Sequence, residues 1–457
     1  MDTILSQIFT IFTQESDILS KEAKLYGLMT RVFSEIMTEA FEMLDHAAVQ
    51  AYLEKGYQIE KRSNRQVTFL FGTVSFKRYR LIHADQPAIY PLDHLLCLEK
   101  RQQFSKYMQN ALAQASTCGV FRKVSEVINL VSNFSISHQS LHTLSQTVGQ
   151  AINQAQSEDL EQEGTEDLNQ KVKVLYLEGD AFCVKAQGGG LLYLHRVQVC
   201  EGRKMQGHRS RLIGYHDFID LDRKKVFSQL LEYLNRTYDM RRVVLVSNSD
   251  NGSGYTSQSF KDLCLPGTAH EHFIDRYHVN KKIRERLRFV PEALKKGLQN
   301  SLYRYDEELL TVYYYTIESY CQTAEDEENL SLLKAYLSRN WRYLEPFEQR
   351  ERLSGLEAVI GTCESNHRFY TYRMKKQGKY WSAQGALLMA KLLSAKRNNE
   401  LAKYTILEPL PAVPDVILPQ GFMRHLFKSH LPEYRDRYRG HIPSAQLNTR
   451  FNRAYGL

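Results

Sequence analysis

The chain has 457 residues, 43% of them hydrophobic and 25% charged, which suits a large buried core in two or more domains and excludes a low-complexity or disordered protein. Its formal net charge of +8 leans modestly toward polyanions and is equally the mark of a slightly basic, solvated surface. No run approaches the roughly 18 to 20 apolar residues of a bilayer span, and Met1–Phe12 lacks the basic start of a signal peptide, so a cytoplasmic protein without a membrane partner is expected.

Residues 1 to about 60 read as helix, with Ile4, Ile8, Ile11 and Phe12 and then Leu28, Val32, Ile36 and Met43 at helical spacing. A hairpin follows, Tyr57–Glu60 and Gln66–Phe71 leading into Gly72–Arg80. Its Lys77, Arg78 and Arg80 suit either a DNA-backbone contact or a solvated edge that discourages strand pairing. Between 104 and 150 the pattern is helical with one break. Val120–Val131 is amphipathic, Ser132–Ile136 is a turn, and Ser137 can cap a helix from His138 to Val148 that Gly149 stops. This is the outline of a helix-turn-helix presenting Gln139, His142, Thr143 and Gln146, or of a plain helical hairpin.

Residues 156–170 are acidic and nearly free of apolar side chains, and are read as a linker. From 171 short strands are expected at Val172–Asp180, Leu191–Cys200, Leu212–Ile219, Val243–Ser247 and His270–Ile274, with helices from Asp222 and over Ser257–Leu263. That succession predicts a mixed α+β and α/β sheet domain with helices packed on it. Residues 279 to about 358 read as almost wholly helical, Ser382–Glu400 as a long helix, and the proline-bearing tail after Pro409 as irregular. Seven cysteines without Cys-x-x-Cys spacing suggest reduced thiols rather than a zinc ribbon or a disulfide framework.

Three acids stand where chemistry is expected. Alternation puts Val174, Tyr176, Glu178 and Asp180 on one strand face, and Asp180 at the strand's exit, where Gly179 and Ala181 leave room for a ligand. Asp250 ends a second apolar strand and precedes a glycine-rich turn, and ligands of open sheets gather at such carboxyl ends. Glu364 lies far downstream in Gly361–Asn366. Carboxylates so placed are costly unless paired or metal-bound, and Mg²⁺ is held by such groups together with substrate phosphate. Two ions about 4 Å apart can activate an attacking hydroxyl and stabilise a leaving oxygen. Each aspartate can also be a turn or helix-cap residue. Asp275 and His278 share one face of a starting helix, where they orient a water or a phosphate, or serve as cap and packing. Arg368, Arg373, Lys375, Lys376 and Lys379 interleave with Tyr370, Tyr372, Tyr380 and Trp381, a mixture suited to phosphates and unpaired bases.

In order along the chain, the helix-turn-helix-like segment, Glu178-Gly-Asp180, Ser249-Asp250-Asn-Gly, Asp275-Arg-Tyr-His278, and Glu364-Ser-Asn366 followed by Gly378-Lys-Tyr-Trp381-Ser resemble bacterial insertion-sequence transposases of the DDE class. The likeness is to the Mutator-like superfamily, nearest a branch formerly catalogued as an uncharacterised protein family. The resemblance implies an RNase H-like catalytic domain with a helical insertion, preceded by a helical DNA-binding region. It divides the chain into 1–100 (helices and hairpin), 101–155 (helix-turn-helix-like), the linker 156–170, 171–280 (core, first part), 281–358 (insertion), 359–405 (closing helix with the catalytic glutamate) and the tail 406–457. It implies Asp180, Asp250 and Glu364 as a catalytic triad for two Mg²⁺ or Mn²⁺ ions, supported by Glu178, Asp275, His278 and Asn366. Ala181 stands where relatives often have glycine. DNA contacts would come from the 120–149 region and from the basic residues 368–379 with Trp381. The partners implied are terminal inverted repeats, target DNA and further copies of the chain, at the nucleoid. An RNase H-like nuclease that cuts without joining, and a DNA-binding relative without catalysis, are the competing expectations.

Overall fold

Helical spacing of apolar residues near the start becomes two helices in the computed structural model, which describes residues 2–158, 170–207, 209–252, 254–376 and 378–405. They are α1 (Asp2–Gln14) and the 36-residue α2 (Ile18–Leu53), the latter capped by the Asp17 carboxylate on the Ser20 N–H. The hairpin pairs β1 (Gln58–Phe69) with β2 (Gly72–Ile82) in antiparallel register. Its strands are longer than expected because Lys61–Asn64, polar on both faces, still pair. A short α3 (Pro91–Leu95) closes over it, and Phe41, Val67, Val74, Phe76, Leu92 and Leu98 form the core there.

Three helices follow, α4 (Lys106–Ser116), α5 (Phe121–Val131) and α6 (His138–Glu158). Ser137 caps α6 as expected, its hydroxyl accepting the Ser140 N–H at 3.0 Å. Gly149 does not stop α6, which runs nine residues past it. The glycine is there for packing: a Cβ at 149 would stand 2.7 Å from the carbonyl oxygen of Leu388. Of the acidic segment, residues 156–158 close α6 and Gln170 bridges Tyr238; residues 159–169 and the tail from 406 lie outside the described residues.

The described residues fall into two compact units, 2–111 with 125–136, and 112–124 with 137–405. In the larger, five strands run in the order β7-β4-β3-β8-β9. They are β3 (Val174–Lys185), β4 (Leu191–Cys200), β7 (His216–Asp220), β8 (Val244–Ser249) and β9 (Ala269–Ile274). β3 pairs antiparallel with β4, which pairs antiparallel with β7; β8 and β9 run parallel to β3. The strand expected over 212–219 is broken at Gly214, whose φ of +58° suits glycine. The chain on its N-terminal side makes a separate hairpin of β5 (Gly202–Gln206) and β6 (Arg209–Ile213).

Alternation along β3 assigns the two faces. Leu175 and Leu177 pack with α7 (Arg223–Thr237) and α8 (Ser257–Lys261). Phe182 and Val184 pack with α6, α13 (Cys363–Met374) and α14 (Ala383–Arg397), while Val174 and Tyr176 meet Phe347, Leu353 and Val359. Between β9 and α13, the helices α9 (Arg276–Arg286), α10 (Glu292–Arg304), α11 (Glu307–Glu318) and α12 (Ala324–Asn340) gather around a core of their own with Leu298, Leu302, Leu333 and Leu337. The short α15 (Leu401–Thr405) ends the described chain. A mixed α/β molecule with a helical N-terminal region and a mixed sheet is thus the observed class. Among the described residues no helix is long and apolar enough to cross a membrane.

The α6–α14 packing yields a prediction. Gly149→Ala gains roughly 1 kcal/mol of helix propensity, but its methyl meets a backbone carbonyl that cannot rotate away. Overpacking of this kind costs about 1–3 kcal/mol, so chemical denaturation of the variant should show net destabilisation; a stabilised variant would contradict the packing.

Candidate active site

The centre of the site is a notch made by unequal pairing. Parallel pairing of β3 with β8 stops at Glu178 opposite Asn248, whereas antiparallel pairing with β4 continues to Lys185. Asp180 therefore sits inside a long strand rather than at its exit, just past the end of β8, with one side of its strand unpaired. Gly179 makes no room for a ligand: on the opposite face, a Cβ there would lie 2.8 Å from the Tyr255 ring. Asp180 accepts the Ala181 N–H at 2.7 Å. Burial raises its pKa from the ordinary 3.8 to about 6, helped by the negative charges of Asp250 and Glu364 and opposed by the Ala181 N–H and His278.

Glu178, one step earlier on the same face, is 1% exposed. It accepts the backbone N–H groups of Gly361 (2.8 Å), Thr362 (3.0 Å) and Cys363 (3.3 Å), the Thr362 hydroxyl, and the side-chain amides of Gln198 (3.1 Å) and Asn248 (3.0 Å). The Thr362 and Cys363 donors are orphan N–H groups at the start of α13, and Gly361 immediately precedes its cap. A buried carboxylate thus anchors the helix N-terminus, where negative charge is stabilised, and sets Glu364 beside Asp180.

Helical period then sorts the residues of α13. Cys363, His367, Tyr370, Arg373 and Met374 are buried, while Glu364, Arg368, Tyr372 and Lys375 face out. His367 Nδ1 lies 3.7 Å from Asp180 Oδ2 and 3.9 Å from Glu364 Oε2. Among the described residues, Asp180, Glu364 and His367 form a set of ligand atoms mutually within 4.8 Å. Burial, with the charges of Arg196, His278 and Arg397, drives His367 down to about 2, so its imidazole is neutral and able to bind a metal. Two carboxylates fit Mg²⁺ or Mn²⁺, and the added imidazole nitrogen widens the choice toward softer divalent ions. Asp250 is not in this set. It closes its own turn by accepting the Gly252 N–H at 2.8 Å, yet its charge acts on both Asp180 and His278.

Of the two sequence readings of Asp275 and His278, the helix cap is the one seen. The Asp275 carboxylate caps α9 through the Tyr277 N–H (2.9 Å) and pairs with His278 Nδ1 (2.9 Å). That hydrogen bond, with the charges of Asp180, Asp275 and Asp250, holds the His278 pKa above its ordinary value against burial. His278 and Lys281, one turn on, line a cleft of about 950 Å³ with Asp180, Glu364, Arg368 and Lys375. Lys376 and Tyr372 lie along it too.

Other expected DNA contacts are placed elsewhere. Arg373 is 3% exposed, donates to the Ser116 carbonyl at 2.9 Å and lies over the Phe121 and Trp381 rings. Burial lowers its pKa to about 10. Trp381 is buried with its indole N–H on the Met374 carbonyl, and Lys379 donates to the Arg373 carbonyl. Arg373, Lys379 and Trp381 therefore hold the end of α13 in place. On α6, Gln139, His142 and Thr143 are exposed, His142 edge-on to Phe121, whereas Gln146 is half-buried near the first turn of α14. Asn366 links Gln198 (2.8 Å) to Arg397 (2.6 Å) and supports the helix rather than the cleft.

Sequence reasoning missed His367, Lys281 and Asn340. Asn340, at the end of α12, accepts the Asn251 side-chain amide at 2.7 Å and so braces the turn after Asp250, where Asn251 adopts φ +53°. His367 had a signal, since it stands three residues from Glu364 on a helix. Nothing local marks Asn340.

Two outcomes follow. Between pH 4 and 6 the native state binds more protons at Asp180 than the unfolded chain does, so stability falls as pH rises through that window. In metal-free buffer Asp180→Asn, which cannot ionise, should be more stable than the parent at pH 7.5 by on the order of 2 kcal/mol, with the gap closing toward pH 4; equal melting temperatures at both pH values would contradict the burial of this charge. Glu178→Gln keeps the volume but removes the charge that six donors share. It should cost about 2–4 kcal/mol and weaken Mn²⁺ binding in a calorimetric titration, whereas unchanged values would show that α13 is anchored otherwise.

Comparison with known proteins places this geometry. Residues 14–406 match the family described as Uncharacterised protein family (UPF0236). A UPF0236 protein in the vanSb 3′ region of Streptococcus gallolyticus is 33% identical over 408 residues, covering 88% of each chain. A UPF0236 protein of Caldanaerobacter subterraneus subsp. tengcongensis, whose name carries eleven locus designations, is 21% identical over 87% of this chain and 84% of its own. A second from that organism, with four designations, is 20% identical over the same shares. These findings correct the superfamily expectation: the matching family and the relatives carry the UPF0236 name alone, and the Mutator-like assignment is withdrawn. The chain belongs to the uncharacterised protein family UPF0236.

Proposed function

We propose that this protein is a DNA strand-cleaving and strand-joining enzyme, a DDE-type transposase of an insertion sequence, working with divalent metal in an RNase H-like domain. The observation that carries the reading is the convergence of Asp180, Glu364 and His367 at a cleft lined by Lys281, Arg368, Lys375 and Lys376. Carboxylates that hold a hard cation beside cations that hold phosphates suit phosphodiester chemistry. The first acid on the central strand, the second at the end of the adjacent parallel strand and the glutamate on a helix after a helical insertion support the RNase H-like arrangement. Names that cover eleven, four and two loci of one genome support a gene that multiplies within its host.

In this reading Asp180 and Glu364, with His367 beside them, would hold a divalent ion, and Asp250, whose charge reaches Asp180, would supply the further carboxylate for a second. The chemistry such ions would supply is a lower pKa for the attacking water or hydroxyl and stabilisation of the leaving oxygen. Glu178 and Asn366 keep α13 in position, and Asn340 keeps the Asp250 turn. His278, whose protonated form the Asp275 hydrogen bond favours, and Lys281 offer positive charge to the phosphoryl oxygens as negative charge develops on them. Arg368, Lys375 and Lys376 grip the flanking backbone, and Tyr372 offers a ring on which a frayed base can stack. Water attacks phosphorus and a 3′-hydroxyl leaves; that hydroxyl then attacks a target phosphorus and displaces the target's own 3′-oxygen. Each step exchanges one P–O bond for another, so no energy source is needed.

The test uses labelled duplexes of the DNA flanking the coding sequence, with Mn²⁺ or Mg²⁺ and a target plasmid. The parent should nick at the element end and join it to the plasmid. Asp180→Asn and Glu364→Gln should lose on the order of 10²–10³-fold or more of both steps while binding DNA about as well. Cleavage without joined product would support a nuclease instead, and full activity in both variants would refute the site.

A further inference from the structure

The smaller unit carries a second cationic feature that the catalytic reading does not use. Along the hairpin face where Val67, Val74 and Phe76 build the core, the next positions outward are Arg65, Arg78 and Arg80. Cations on the exposed face of a strand are an ordinary solvated edge. Here they share the core face and line a cleft of about 610 Å³ whose other wall brings Lys100 and Arg101.

The cleft is built rather than incidental. Arg65 is 8% exposed. It reaches the Asp93 carboxylate at 2.7 Å and the carbonyls of Glu99 (2.7 Å) and Gln102 (3.1 Å), which fix the loop carrying Lys100 and Arg101. Arg78 pairs with the same Asp93 oxygen and lies over the Tyr90 ring at 3.8 Å. One carboxylate thus serves two guanidiniums, Arg65 buried and Arg78 half-buried at the cleft wall. Arg80 pairs with Glu60 at the rim, and Lys100 and Arg101 are exposed. Arg101 has φ +64°, so the loop holds its side chain at the cleft in a conformation that non-glycine residues seldom adopt. Burial and the neighbouring Arg65 push Arg78 down to about 10, as expected where like charges are gathered without enough counter-charge.

We infer that this cleft is a second nucleic-acid contact, binding the phosphodiester backbone of duplex DNA through Arg78, Arg80, Lys100 and Arg101 and remote from catalysis in role. An excess of guanidiniums over carboxylates, with Arg78 set between the Asp93 carboxylate and the Tyr90 ring, is the chemistry that recognises phosphate. The inference rests on the reading that the protein acts on DNA.

The experiment is fluorescence anisotropy of a labelled duplex with the full chain in metal-free buffer over a KCl series. The variant is Lys100→Gln with Arg101→Asn, both at exposed positions. Its slope of log affinity against log salt should be shallower by about 0.9 for each phosphate that is no longer neutralised, with unchanged circular dichroism. A second variant, Arg80→Gln, should act in the same direction. Slopes equal to the parent's in both variants would overturn the inference, and metal-dependent cleavage by the parent would then leave the catalytic reading standing. A shallower slope with no cleavage by the parent would support this cleft and overturn the catalytic reading instead. Inorganic phosphate at constant ionic strength gives a further arm. If it binds the parent but not the variants while their DNA slopes match, the cleft is a small-anion site and the backbone assignment fails.

Discussion

The buried carboxylate of Glu178 is the constraint on which the larger unit's site depends. Moving a carboxylate into a protein interior costs several kcal/mol unless its lone pairs are filled, and here six donors fill them. Because three of those donors are the backbone N–H groups that open α13, the interaction couples a central strand to a helix more than 180 residues later in the chain. Glu364 and His367 meet Asp180 as a result. A second buried network reinforces the same helix: Arg196, fully buried, pairs with Asp217 at 3.1 Å, and Asp217 accepts the hydroxyls of Tyr215 (2.8 Å), Tyr370 (2.5 Å) and Ser394 (2.9 Å). Polar networks of this kind specify one arrangement when every member is satisfied.

The cost of the arrangement falls on Asp180. Its carboxylate is held where burial and two other acids oppose ionisation, a cost that a bound cation would relieve. Stability given up at a functional position is a familiar trade. His367 and His278 show how environment moves two histidines in opposite directions, the first toward the neutral form by burial and the second toward the protonated form by its hydrogen bond to Asp275.

Much of this was legible from residues alone. Strand alternation located Asp180 and Glu178 on one face, and the apolar run before Asp250 placed that residue at the end of a buried strand. What could not be read was the inequality of pairing that leaves Asp180 in a notch, since register between strands is a tertiary property. The basic and aromatic stretch 368–381 misled because composition was read without its period. At helical spacing Arg368, Tyr372 and Lys375 separate from Tyr370 and Arg373, and only the first group reaches the cleft. Gly149 and Gly179 misled for the opposite reason. Each looks like a local signal, a helix stop or a space for ligand, and each is demanded by a neighbour distant in sequence. Asn340 braces the Asp250 turn from the far end of the helical insertion, an interaction with no local trace.

In the proposed site Asp180 and Glu364 jointly hold a divalent cation because Glu178 anchors the start of α13, on which Glu364 lies. Electron paramagnetic resonance of the Mn²⁺-titrated protein tests it most directly. The parent should show protein-bound Mn²⁺, Glu364→Gln and Asp180→Asn should lose that signal, and Glu178→Gln should bind more weakly. Mn²⁺ bound equally well by all four proteins would contradict it.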